Sequence, residues 1–246
     1  MCIRDRHELA GPLIIEADQT ARTAWDDDPI SMTYCRLLMA RVESIRGNRP
    51  RGRSWMIEAG QMMELLEPTD PWVIGTRPYV IGQIAFMGGN PREAVPLLGE
   101  AAHLLDHHGD RANATICFAE MAFAAETYGD YDTMRDALHN AQRIAHEFNL
   151  TSIELVLAAR MGCAAVLQGH HDEAEVLLDE VLRSARDVAH RPALAYALTG
   201  VARLRFRQGR MAEAEAAARE ALAFPLLDQT QVRASSLEIL EAINAT

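Results

Sequence analysis

The chain has 246 residues, of which 49% are hydrophobic but only 6% aromatic, and its formal net charge is −11. An acidic balance of this size argues against direct binding of nucleic acid or of an anionic membrane surface, because both need a basic contact face. Alanine and leucine dominate the apolar residues, which favours helices over strands. No apolar run has the length of a membrane span and no signal-peptide pattern opens the chain, so we expect a cytoplasmic protein.

The cysteines and basic residues indicate no special chemistry. Cys2, Cys35, Cys117 and Cys163 show no paired spacing. Three of them lie in apolar helical patterns, so we expect buried thiols rather than disulfides or metal ligands. All 24 basic residues are arginine, which we interpret as coding bias.

The N-terminal part, residues 7–71, is predicted to hold degenerate helical repeats. Its pattern indicates helices over His7–Trp25, Met32–Ile45 and Ser54–Leu66. Prolines end the first and third of these, because the residue before a proline avoids the helical region. Residues 1–6 resemble translated sequencing-adapter read-through, and we expect them to be non-native.

Residues 72–224 are predicted to form four regular repeats. The glycines Gly89, Gly129, Gly169 and Gly209 stand 40 residues apart, and a fixed period in this range is typical of stacked repeat arrays. Each is expected to end a helix A in a left-handed conformation. The A helices are predicted over Val73–Met87, Arg111–Tyr128, Ser152–Gln168 and Pro192–Gln208. The B helices are predicted over Pro91–Asp106, Tyr131–Phe148, Asp172–Ala189 and Met211–Phe224.

Small residues and caps repeat with the same period. A small residue precedes each turn glycine by seven positions, where helix A is expected to cross helix B closely: Gly82, Ala122, Gly162 and Ala202. Asn90 is predicted to cap a B helix, and Thr151 with Glu154 to form a capping box that opens an A helix.

The pattern small–x6–Gly–x4–Ala–x6–Ala is similar to the tetratricopeptide repeat, most clearly over Gly162–Val181 and Ala202–Ala221. The resemblance implies an all-α fold, a right-handed α-solenoid of antiparallel helix-turn-helix repeats. The period of 40 in place of 34 and the scarcity of helix A aromatics depart from that family. Long, alanine-rich, arginine-only repeats also resemble the sensor segments of large bacterial LuxR-family ATP-dependent transcriptional regulators.

The last segment, residues 225–246, is predicted to contain a helix from Asp228 to Ala245. Its apolar side chains are expected to face the preceding repeat: Val232, Leu237, Leu240 and Ile243. Arg233, Glu238 and Glu241 are expected to face water. This helix either caps the array or begins a further repeat.

No pattern supports an enzyme, a cofactor site or a metal site. Gly47–Ser54 fits the spacing of a phosphate loop, but a helix precedes it and the lysine is replaced by arginine, so we interpret it as a solvated inter-helix loop. His103 and His107, one helical turn apart, lack a third ligand, and His170 with His171 is interpreted as a polar turn.

The resemblance implies that a protein or peptide binds in the concave groove formed by the A helices. Counted from the turn glycines, the groove residues are Tyr79, Gln83, Phe86, Met87, Phe123, Glu126, Thr127, Cys163, Val166, Leu167, Tyr196, Thr199, Arg203, Phe206 and Arg207. Each aromatic among them either lines the groove or fills the core. The aromatics suit an amphipathic or extended segment, and the arginines suit acidic groups.

We therefore expect a non-enzymatic interaction scaffold, the partner- or signal-sensing segment of a bacterial transcriptional regulator. The alternative is the small-effector-binding segment of an ATP-dependent LuxR-type activator, whose nucleotide- and DNA-binding modules are absent from this chain. An open groove would favour the first hypothesis, and a closed apolar pocket with convergent polar groups would favour the second.

Overall fold

The structure is a computed structural model that describes Glu16, Gln19, Thr23 and residues 29–45, 47–224 and 229–245. Residues 1–6, most of the helix predicted over His7–Trp25 and the acidic turn after it lie outside the described residues.

The chain divides into two compact units, Met1–Asp130 and Tyr131–Thr246, here called the N-unit and the C-unit. The described part of the N-unit contains α1 (Pro29–Ile45), α2 (Arg49–Met63), α3 (Pro71–Met87), α4 (Pro91–His107) and α5 (Arg111–Thr127). The C-unit contains α6 (Tyr131–Glu147), α7 (Thr151–Gln168), α8 (His171–Asp187), α9 (Arg191–Arg207), α10 (Met211–Leu222) and α11 (Gln229–Asn244).

The predicted all-α tandem array is confirmed. Every A and B helix of the regular repeats forms within two residues of its expected ends. The odd-numbered helices from α1 to α9 are the A helices, and the even-numbered helices from α2 to α10 are the B helices. Successive helices pack against each other within each unit. Since their connections are only a few residues long, neighbouring helices run antiparallel.

The same backbone turn closes eight of the connections. A left-handed residue follows the helix, and the next N–H donates to the carbonyl five residues earlier, as from Asn90 to Ala85 over 2.9 Å and from His190 to Ala185 over 2.7 Å. This bond is the Schellman arrangement. The positive-φ residues are Gly47, Gly89, Gly109, Gly129, Asn149, Gly169, Ala189 and Gly209.

From Gly89 onward these left-handed residues stand 20 apart. The prediction for the four glycines 40 residues apart is therefore confirmed, and the same turn also links the B helices α4, α6 and α8 to the A helices that follow them. Asn149 and Ala189, with φ of 54° and 51°, occupy that second turn, where the sequence carries no glycine.

One of the two predicted caps is wrong. Asn90 is the N-cap residue of α4, as predicted, although its side chain makes no capping bond. The helix with the expected capping box is capped by Leu150, so that Thr151 is already its first residue. Glu154 instead contacts His146 Nδ1 at 3.0 Å.

The close crossing of helix A with helix B is confirmed. A Cβ placed on Gly162 of α7 would lie 2.6 Å from Cδ2 of Leu178 on α8. A Cβ on Gly82 of α3 would lie 3.0 Å from Cγ of Leu98 on α4. Both leucines are fully buried, so a small residue at this position lets the two helix backbones approach.

The terminal helix α11 packs against α9 and α10. Val232 and Ile239 are its buried apolar residues, and Leu240 and Ile243 pack against the core. Leu237 is exposed, contrary to expectation, because the buried stripe runs through Ile239 two residues later. Arg233, Glu238 and Glu241 are exposed as expected.

Replacing Gly162 by leucine should destabilise the protein by about 1–3 kcal/mol, because the new side chain would overpack against Leu178. The free energy of unfolding in urea measures the effect. Gly60→Ala is the matched control, since a Cβ there meets only Val80 Cγ1 at an ordinary 3.5 Å. That control should be neutral or stabilising, and wild-type stability of the Gly162→Leu variant would contradict the crossing geometry.

Replacing Ala189 by glycine should stabilise the protein by about 0.5–1 kcal/mol, because glycine adopts a left-handed φ without the steric cost that alanine bears. The same substitution at the exposed helical residue Ala216 should instead cost about 1 kcal/mol. Thermal and urea unfolding compare the two variants. Equal destabilisation by both would mean that Ala189 is unstrained in its turn.

Candidate functional site

A pocket opens on the N-unit between its A helices. Its walls come from α1, α3 and α5, with one residue from α4: Tyr34, Leu37, Leu38, Arg41, Trp72, Thr76, Tyr79, Leu105, Asn113, Ile116 and Cys117. Its empty space, counting the open mouth, is about 540 Å³.

The mouth of the pocket is apolar and partly exposed. The rings of Tyr34 and Trp72 stack with centroids 5.2 Å apart and planes inclined by 14°. Tyr34 is 42% exposed and Leu38 is 45% exposed. Large apolar side chains that share one rim in this way can gain free energy by burial against a ligand or partner.

Neutral polar groups lie deeper in the pocket. Burial, followed by the charge of Glu120, raises the pKa of the Tyr79 phenol well above its usual range, while the Arg41 guanidinium acts in the opposite direction. Burial also raises the pKa of the Cys117 thiol, again with Glu120 contributing. Both groups are therefore protonated at neutral pH, so they are hydrogen-bond donors rather than nucleophiles.

Among the groove residues expected from the sequence, only Tyr79 lines this pocket. Gln83 and Phe86 are buried, and Met87, Phe123 and Glu126 are half-buried. Phe86 meets Phe123 edge-to-face at 5.2 Å, and the Arg49 guanidinium lies 5.7 Å from the Phe86 ring. Thr127 is exposed, and its hydroxyl donates to the Ala124 carbonyl.

In the C-unit the expected groove residues are largely engaged by neighbouring A helices. Cys163 Sγ donates to the Tyr196 carbonyl at 3.4 Å, and Arg203 Nη2 donates to Ser235 Oγ at 3.0 Å. Thr199 is buried and bonded to Ala195 O. Val166 is in the core, Leu167 is half-buried, Tyr196 and Phe206 pack against the core, and Arg207 is exposed.

Sequence reasoning missed most of the pocket. The expected residues began ten positions before Gly89 and six before Gly129, whereas Thr76 and Ile116 stand 13 before those glycines. Position 13 was used only in the last repeat, at Tyr196, and applying it to the earlier repeats would have found both residues. The residues from α1 could not be found in this way, because the regular glycine pattern does not reach α1.

Two other sequence interpretations need correction. Gly47–Ser54 is not a loop throughout, because α2 begins at Arg49 and Asn48 caps it through a bond from Arg51 N. His171 is already the first residue of α8, and His170 is its N-cap. His170 Nδ1 lies 3.2 Å from Arg135 Nη1, which ties this turn to α6.

No family model matches this chain, and no curated protein matches it. Solved structures do resemble it. BtubC (BKLC) from P. vanneervenii shares 14% identity at a TM-score of 0.64, covering 93% of this chain and 91% of that one. A putative kinesin light chain from Podospora anserina with nearly identical TPR-like repeats shares 16% identity at a TM-score of 0.58, covering 80% and 94%. A point variant of that kinesin light chain aligns with a TM-score of 0.59. This chain therefore has a TPR-like helical repeat fold.

One described helix, Thr151–Gln168, is long and apolar enough to cross a membrane by length and composition alone. Core helices also meet that criterion, and this one packs against α6, α8 and α9.

Replacing Phe86 by alanine should cost about 3 kcal/mol of stability, because the side chain is only 9% exposed and a cavity would remain beside Phe123. Phe148→Ala is the control, since half of that side chain is exposed, and it should cost far less. Urea unfolding measures both. A loss of stability below about 1 kcal/mol for Phe86→Ala would mean that Phe86 is not a core residue and belongs to the predicted groove.

Proposed function

We propose that this protein is a non-enzymatic interaction scaffold that holds a protein or peptide segment on the A-helix face of the N-unit. The observation that carries the proposal is the partly exposed apolar rim of Tyr34, Leu38 and Trp72 around an open pocket. Exposed apolar clusters of this kind mark interaction sites.

The rim has the composition of a binding hot spot. Tyrosine and tryptophan offer large contact areas at little conformational cost, and they dominate the energetics of many interfaces. The stacked pair is already ordered in the unbound chain, so little side-chain entropy is lost on binding. An apolar side chain of the partner would enter the pocket, while its flanking residues would lie along α1 and α3.

The repeat fold supports the same role, because tandem helical repeats present extended surfaces built from one helix of each repeat.

As a finer proposal, the chain is the sensing segment of a bacterial transcriptional regulator of the LuxR type. Its support is the alanine-rich, lysine-free repeat composition. An in-frame ATPase or helix-turn-helix module encoded beside it would strengthen this proposal, and a neighbourhood with neither would remove its support.

Small-effector binding is the second candidate. The specific observation in its favour is that the pocket contains polar groups at its base as well as an apolar rim. Apolar pockets with a few convergent polar groups are typical of ligand sites.

Peptide selection tests the scaffold proposal. A displayed library of random peptides is selected on the purified chain, and the enriched peptides are measured by fluorescence polarisation. Leu38→Asp should weaken them by about ten-fold or more, because it places a charge in the rim.

Leu65→Asp is the matched control, since Leu65 is exposed outside the pocket, and it should leave binding unchanged. Circular dichroism confirms that both variants fold. A library without enriched peptides, or peptides that bind the Leu38→Asp variant equally well, would contradict the proposal.

A further inference from the structure

Thr76 carries a hydroxyl without a partner on a side chain that is only 5% exposed and lines the pocket. The buried threonines Thr33, Thr115 and Thr199 each donate to the carbonyl four residues earlier, over 2.7–2.9 Å. In the part of the chain that the structure describes, the Thr76 hydroxyl makes neither this bond nor any other hydrogen bond. Its oxygen is not among the fully buried polar atoms that lack a partner, so it reaches solvent and is available to a ligand in the pocket.

Two further donors share the pocket with Thr76. The Tyr79 hydroxyl and the Arg41 guanidinium both line it, and neither has a hydrogen-bond or ion-pair partner within the described ranges. Tyr79 stays protonated, because desolvation raises the pKa of its phenol. Arg41 is exposed and the Tyr79 hydroxyl is not among the fully buried atoms that lack a partner, so water serves these donors until a ligand replaces it. Three donors, one of them cationic, suit a ligand that supplies acceptor oxygens and one negative charge.

The other residues of the pocket indicate the chemistry of the rest of the ligand, beyond its acceptor oxygens. Leu37, Leu38, Ile116 and the stacked pair of Tyr34 and Trp72 form apolar walls, which favour a ring or branched hydrocarbon. Glu120 lies close enough for its charge to act on both Tyr79 and Cys117. Arg41 offsets one negative charge on the ligand against Glu120, but no second cation is among the described residues that line the pocket, so a second negative charge would be repelled.

We propose that the N-unit pocket binds a small apolar monocarboxylic acid. Its carboxylate accepts hydrogen bonds from Arg41, Tyr79 and Thr76, and its apolar body lies against Trp72 and Leu38. This inference deepens the effector-binding candidate and rests on it. The ligand is a free acid rather than a chain terminus, because the donors lie among apolar walls that suit a compact molecule.

Calorimetric titration of the purified chain with three probes tests the ligand class. The probes are 3-phenylpropanoate, its neutral analogue 3-phenylpropanamide and the dianion phenylsuccinate. The monoanion should bind, and the other two should bind about ten-fold more weakly or worse, because a charge-assisted hydrogen bond is lost or a like charge is introduced. Quenching of tryptophan fluorescence that disappears in a Trp72→Phe variant would place the probe in the pocket.

Substitutions identify the donors. Arg41→Gln should reduce affinity for the acid by about ten-fold and leave affinity for the amide nearly unchanged. Thr76→Val should reduce affinity for the acid several-fold without loss of helical signal. Arg92→Gln is the matched control, since Arg92 lies over the Tyr128 ring outside the pocket, and it should have no effect.

The outcomes separate the two proposals. Equal binding of acid and amide, unaffected by Arg41→Gln, would overturn the carboxylate assignment and leave effector binding intact. No binding of any probe at millimolar concentration would overturn both. A peptide ending in phenylalanine that binds much more tightly than 3-phenylpropanoate, and loses affinity when amidated, would assign the site to a chain terminus and overturn the small-molecule source.

Discussion

The left-handed Schellman turn is the constraint on which the rest of this structure depends. It ends one helix and begins the next within a few residues, and from Gly89 to Gly209 it recurs every 20 residues. The 6→1 backbone bond satisfies carbonyls that a helix end would otherwise leave unpaired. Because the backbone supplies this bond, the turn tolerates Asn149 and Ala189 as well as glycine.

Equal helix lengths follow from equal turn spacing. From α3 to α9 each helix has 17 or 18 residues. Equivalent residues of different repeats therefore occupy the same position along their helices. Gly82 and Gly162 therefore meet equivalent leucines, Leu98 and Leu178, at each crossing. The close approach buries small residues around large ones, which explains how a chain with few aromatics still forms a dense core.

The surface formed by the A helices differs between the two units. In the C-unit, α9 contacts α7 and α11, and hydrogen bonds such as Arg203 to Ser235 join adjacent A helices. In the N-unit, the large side chains Tyr34 and Trp72 stack at the rim, and a pocket remains beneath them. The hydroxyls of Thr76 and Tyr79 line this pocket, and neither has a hydrogen-bond partner among the described residues, so both are available to a ligand.

The sequence by itself determined the helical class, the repeat period, the positions of the helices and the small residues at their crossings. These features depend on local turn chemistry and on contacts at a fixed spacing, and the pattern Gly162–Gly169–Ala174–Val181 expresses both. It could not reveal the pocket, because Tyr34, Trp72 and Ile116 come from separate repeats and only packing of α1, α3 and α5 brings them together. The burial of individual side chains also depends on tertiary packing. Phe86 and Tyr34 are both aromatic residues of A helices, yet Phe86 is covered by its neighbours and Tyr34 is exposed. Which residue of an A helix is free to bind depends on the size of the side chains across from it, and that is a property of the tertiary structure.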